Sequence, residues 1–265
     1  MTISNSNFFS QSLLLIGGFA IAYNTSVALH ELGHTVAVLI DGGQIQEFVL
    51  NPFSWSWNLG QNVSNITFTA WGGVTFGLFF SMLPFLLNFI IHSGTYQFLS
   101  KITAAYALLF NGVYLVAGTL FDFGDGGELA DLGISKELLL ILGSIYLISS
   151  FIIWINLQYH LGMNKQTSFL QRLGVITIGF APYLFLIYLY NQIHNAHQIL
   201  IWGGFALVGI LLAFLIAIAG YWGVRGMIQK QPKVIPLNKD WLILVIALLI
   251  IIAEFVVFGT PDNPF

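Results

Sequence analysis

The sequence has no cysteine, and it is nearly without charge. With no thiol in 265 residues, disulfides and thiolate metal ligands are excluded and the redox compartment cannot be read. Eight basic and 11 acidic residues make up 7% of the chain, against roughly 25% in a soluble domain. A water-facing surface cannot be built from that. No Asp, Glu, Lys or Arg occurs in residues 1–30, 48–100, 138–164 or 173–224. The net charge of −3 gives no bulk attraction to nucleic acid. The N-terminus lacks a basic segment and a small-residue cleavage pattern, so no removable signal peptide is expected.

What the sequence holds instead is apolar: 57% hydrophobic residues and a mean hydropathy of +0.84. This predicts an all-α polytopic membrane protein, in a lipid bilayer, with about seven transmembrane helices. Their expected positions are 9–40, 70–91, 98–121, 137–157, 172–190, 198–224 and 241–258. The first run is long: at 1.5 Å per residue it reaches about 48 Å, against a hydrocarbon core of about 30 Å. It must therefore tilt, break or protrude, with Gly17-Gly18 and Asn24-Thr25-Ser26 the expected places for irregularity. The loop that follows, 41–69, carries the turn signal Asp41-Gly42-Gly43. Ser54-Trp55-Ser56-Trp57 and Val63 to Thr69 alternate with period two, predicting a small β-hairpin-like interfacial loop.

Seven of the eight basic residues fall in or beside the loops after the second, fourth and sixth runs: Lys101, Lys165, Arg172, Arg225, Lys230, Lys233 and Lys239. The positive-inside rule then makes the N-terminus cytoplasmic. By parity, the loop after the first run and the acidic loop Asp122, Asp125, Glu128, Asp131 lie on one common side, the outer one.

The first charged residue is Glu31, and it stands between two histidines in His30-Glu31-Leu32-Gly33-His34. In H-E-x-x-H, the two His at i and i+4 share a helical face, so both imidazoles reach one cation. Glu31, offset by one residue, sits beside the metal, where it can take a proton from water and hand it to a leaving amine. Multiplying residue frequencies, chance produces such a match on the order of a few times per thousand chains of this composition. The alternative is a polar helix-packing patch, which burial of three ionisable groups in five residues makes expensive.

A catalytic zinc takes three protein ligands. With cysteine absent, the third must come from Asp, Glu or another His. Asp125, flanked by Gly124 and Gly126, is the first choice and Asp122 the second, both in a loop expected over 122–134. Asn24, Ser26 and Asn111 could line a water route, although helix packing is the commoner role for such residues. Asn111 could also bind the substrate backbone or a developing oxyanion. His92, His160 and Glu254 read as interfacial, and His194 and His197 as loop residues. Pro84 and Pro182 are candidate kinks.

Taken together, His30-Glu31-x-x-His34, Gly42-Gly43 with a β-like stretch, Trp71-Gly72-Gly73 and Gly124-Asp125-Gly126-Gly127 resemble the site-2 protease family of intramembrane zinc metalloproteases. The resemblance is to its compact bacterial-type members and covers about residues 20–134. It implies a three-helix catalytic core with one zinc ion, ligands His30, His34 and Asp125, and Glu31 as general base. The implied reaction is hydrolysis of peptide bonds in membrane-embedded or membrane-anchored substrates. The sequence departs from the family in having no proline between Asn111 and Asp125. The family also commonly brings the metal nearer the cytosol, whereas the loop charges here point outward. On this reading residues 1–134 form the catalytic core and 135–265 an additional four-span region without an assigned role. Two other classes stay open: a metal-stabilised membrane scaffold or binding protein without proteolysis, and an ion-coupled transporter using the last four spans.

Overall fold

The computed structural model describes residues 5–54, 56–163, 166–194, 211–223 and 240–258. The architecture is helical, with one small sheet. Helix α1, Asn5–Ile40, is the central rod, and it is unbroken. Its glycine pair serves packing instead of irregularity: a Cβ on Gly17 would fall 3.1 Å from the backbone of Ile243, and one on Gly18 2.7 Å from the Phe98 ring. Asn24 and Ser26 also pack, through Asn24 Nδ2 to the Tyr183 hydroxyl at 2.8 Å and Ser26 Oγ to the Thr103 carbonyl at 3.4 Å.

After α1 the chain makes two antiparallel strands, β1 Gln44–Val49 and β2 Trp57–Gln61, with a bulge at Gln46. A two-stranded hairpin is there, but on other residues than the alternating stretches: among the described residues of 54–57 only Trp57 enters a strand, and 63–69 is not part of it. Asn65 caps a helix, its Oδ1 accepting from Phe68 N at 3.0 Å, and α2 runs Ile66–Gly72. Asp41 secures this start by accepting from Ser64 Oγ at 2.8 Å and from Ser64 N and Asn65 N. Those bonds, led by the one from Asn65, hold the exposed Asp41 carboxyl below its ordinary range.

The second rod is composite: α2, a π turn Gly73–Gly77, α3 Leu78–Leu86 and a 3-10 turn Leu87–Phe89. It continues with α4 Gly94–Phe121, the short α5 Gly124–Asp131, α6 Lys136–His160 and α7 Phe169–His194. Two shorter described helices follow, α8 Leu211–Gly223 and α9 Asp240–Phe258. Among the described residues five helical segments are long and apolar enough to cross a membrane: Phe8–Ile40, Ile66–Phe89, Gly94–Phe121, Lys136–His160 and Phe169–Ile193. Of the sixth and seventh expected spans the described residues hold α8 and α9, which are shorter than these five, while the basic stretch 224–239, together with Lys165 and His197, lies outside the described residues.

Residue pairings give the directions. The α1 pairings Gly18 with Phe98, Ser26 with Thr103 and His30 with Asn111 make α4 parallel to it. Leu15 against Gly179 and Asn24 against Tyr183 do the same for α7, and α3 and α6 run the other way. One apolar core spans both halves of the chain, with Phe19, Ile102, Trp154, Phe180, Ile216 and Ile243 all in it.

Polar residues read as interfacial turn out to be interior. His160 is 1% exposed and its Nε2 lies 2.8 Å from Lys101 Nζ, which also donates to Asn156 Oδ1 at 2.7 Å. Arg172, likewise 1% exposed, donates to Gln158 Oε1 at 2.8 Å. Glu254 is buried at 8% exposure beside Tyr23. His92 is exposed, as expected of a span end.

Candidate metal centre

The second rod meets α1 without side chains between them. A Cβ on Gly33 would lie 2.5 Å from Gly72 O and Gly77 N, and one on Gly77 2.6 Å from His30 Cα. Close backbone approach of this kind needs glycine on both helices. The π turn widens the helix by one residue per turn, so Gly72 and Gly77, five apart, both face α1. Gly73 between them faces the histidines: a Cβ there would stand 2.5 Å from both His30 Nε2 and His34 Nε2.

The cluster itself is His30, His34 and Asp125, with one potential ligand atom from each lying within 4.8 Å of the others. His30 and His34 come from adjacent turns of α1. Asp125 arrives from α5 because α4 ends in a left-handed Asp122, φ 59°, and Gly124 follows at φ 54°. That double reversal folds α5 back over α4, with Gly118 and Gly126 in close contact. Asp122 is exposed at the reversal and stands outside the cluster, as do the exposed Glu128 and Asp131.

Each ring is turned by its far nitrogen. His34 Nδ1 lies 2.9 Å from the Thr69 carbonyl, which can only accept, so this nitrogen carries the proton. His30 Nδ1 lies 3.1 Å from Asn111 Oδ1, while Asn111 Nδ2 donates to Ala107 O at 2.8 Å, so this Nδ1 donates too. Asn111 is therefore committed to His30 and to its own helix, at 1% exposure, and not placed as a substrate binder.

A neutral imidazole that donates through Nδ1 presents a bare lone pair at Nε2. The two Nε2 atoms face each other at 3.3 Å, and Asp125 Oδ2 and Oδ1 lie 3.1 Å from His30 Nε2 and 3.6 Å from His34 Nε2. Asp125 Oδ2 is sealed from solvent and has no hydrogen-bond partner among the described residues. With both rings neutral, these three electron-rich groups repel one another, and a cation between them reverses the sign. The separations also suit one: with ligand distances of about 2.0–2.1 Å, tetrahedral coordination spaces neighbouring donors about 3.3–3.4 Å apart. The donor set, two imidazoles and a carboxylate, suits zinc.

Glu31 lies beside this group at 8% exposure, and its carboxylate makes no hydrogen bond among the described residues. Aromatic rings from α4 wall the other side: Phe110 and Tyr114 meet the His30 ring edge-on at centroid distances of 5.3 and 5.8 Å. Sequence reading did not anticipate Thr69, Tyr114 or the π turn. Only the i, i+3 spacing of Asn111 and Tyr114, which puts both on one face of α4, offered a signal. Compared with protein-family models, curated proteins and solved structures, the chain matches none.

Proposed function

We propose that this chain is a zinc-dependent intramembrane metallopeptidase that hydrolyses peptide bonds of membrane-embedded or membrane-anchored substrates. The observation that carries the reading is the convergence of two bare Nε2 lone pairs and the Asp125 carboxylate at metal-ligand spacing beside an uncommitted Glu31. The membrane setting rests on the apolar rods and on their inverted surface: Leu138, Ile141, Ile145, Ile148 and Ile152 form an exposed stripe along α6. In this reading the chain crosses the bilayer about seven times, residues 1–134 are the catalytic core, and 135–265 a supporting region whose α7 and α9 brace α1.

His30, His34 and Asp125 would hold the zinc, which when bound lowers the pKa of water and polarises a carbonyl. Glu31 takes the proton from the attacking water and returns it to the amine as the C–N bond breaks. Asn111 and the Thr69 carbonyl fix the ring tautomers, and the glycine contact between α1 and the π turn keeps bulky side chains off the site.

The test is Glu31→Gln beside His30→Ala in detergent-purified protein. Glu31→Gln is expected to keep near-stoichiometric zinc and to lose cleavage of a helical membrane peptide, while His30→Ala loses both. Cleavage that survives Glu31→Gln refutes the mechanism.

A further inference from the structure

Beside the metal, a hydrogen-bond donor further stabilises the oxygen that becomes negative as the carbonyl carbon turns tetrahedral in peptide hydrolysis. Asn111 is sealed at 1% exposure with Nδ2 already donating to Ala107 O, and Thr69 Oγ1 and Thr75 Oγ1 donate to helix carbonyls at 2.9 and 2.7 Å. Tyr114 is different. Its ring packs against His30 at 5.8 Å and Phe110 at 4.4 Å, and its hydroxyl has no hydrogen bond among the described residues. The side chain is only half-buried, so the hydroxyl is not sealed off. The ring is also locked to the ligand loop, because a Cβ on Gly124, the residue before Asp125, would come within 3.1 Å of Tyr114 Cδ1 and Cε1. An apolar fit alone would be met by the phenylalanine that stands one turn earlier in the same stripe, at 110.

We infer that Tyr114 is a catalytic hydrogen-bond donor of this site, its hydroxyl turned to the substrate oxygen that gains negative charge in peptide hydrolysis. This rests on the metallopeptidase reading. As the water oxygen bonds to the carbonyl carbon, the C=O electron pair moves onto oxygen, and the Tyr114 O–H donates to it without giving up its proton. When the C–N bond breaks, that pair re-forms the carbonyl and the nitrogen leaves with the proton from Glu31. Water is the only co-reactant, and the products are a carboxylate and an amine.

The experiment uses the full chain in detergent with zinc and compares wild type with Tyr114→Phe, which keeps the ring. Three quantities are read: zinc content, affinity for a dileucine phosphinic pseudopeptide by calorimetry, and kcat and KM on a cleaved membrane peptide. The phosphinic group mimics the tetrahedral oxyanion, so a lost donor is expected to weaken its binding at least about 10-fold and to lower kcat about 100-fold. Zinc content and KM stay unchanged. Equal phosphinic affinity in the two proteins overturns the assignment while leaving the metallopeptidase reading intact. Zinc loss in Tyr114→Phe also overturns it, by making the tyrosine a support for His30. Failure of zinc-loaded wild type to bind the phosphinic peptide overturns both.

Discussion

Gly73→Ala is the sharpest structural perturbation of the proposed metal centre, because the residue touches no charge and yet faces both histidines. Its added methyl would stand 2.5 Å from His30 Nε2 and from His34 Nε2. Ordinary contact is about 3.5 Å, so rings and methyl must separate by about 1 Å. Neither neighbour yields easily: His34 Nδ1 is held by the Thr69 carbonyl at 2.9 Å, and the backbone of the π turn is wedged against α1 through Gly72 and Gly77. A metal site tolerates ligand errors of only about 0.2 Å. The required displacement is thus several times the tolerance, and zinc is lost. The fold survives, since overpacking at one site costs about 1–3 kcal/mol. The assay is zinc per protein by elemental analysis, with thermal unfolding measured with and without chelator. Gly174→Ala, whose methyl meets only the Phe8 ring at 3.3 Å, is the control and keeps its metal. A full zinc equivalent in Gly73→Ala would refute the placement of the cation between these rings.

Two further outcomes follow from the same geometry. Asp125→Ala is expected to lose zinc while Asp122→Ala, changed at an exposed reversal, keeps it; elemental analysis of the pair decides the third ligand. Asn111→Ala leaves His30 Nδ1 without its acceptor and is expected to weaken zinc affinity about 10–100-fold in chelator competition, the usual loss for such a partner.

The sequence made the helical spans and the histidine pair legible, because both are written in short-range patterns. Apolar runs gave the helices, and i, i+4 spacing gave one face. The unbroken α1 was harder to foresee, since glycine pairs and polar triplets commonly mark irregularity. Here no proline precedes Pro52, and each small or polar residue is answered by a neighbour that chain order does not reveal, Ile243 for Gly17 and Tyr183 for Asn24. The alternation over Val63–Thr69 misled for a local reason: Asn65 accepts from Phe68 N, and a cap wins over period two. The π turn has no sequence period of its own. Its signal is the pair Gly72 and Gly77, five apart, which becomes meaningful only once Gly33 is known to face them.

Two of the basic residues carry less information about sidedness once folded. Lys101 and Arg172 both lie inside helices and are drawn into hydrogen bonds with α6 residues, Asn156 and Gln158. They serve helix contacts, so they weigh less as markers of a cytoplasmic loop. What brings the ligands together does not depend on such charges. α1 and α4 run parallel with one antiparallel rod between them in sequence, so the last third of α1 and the end of α4 share an end of the bundle. The reversal at Asp122 and Gly124 then returns Asp125 to the level of His30. Inverting the whole protein in the bilayer would leave this meeting intact, whereas lengthening the turn between α4 and α5 would abolish it.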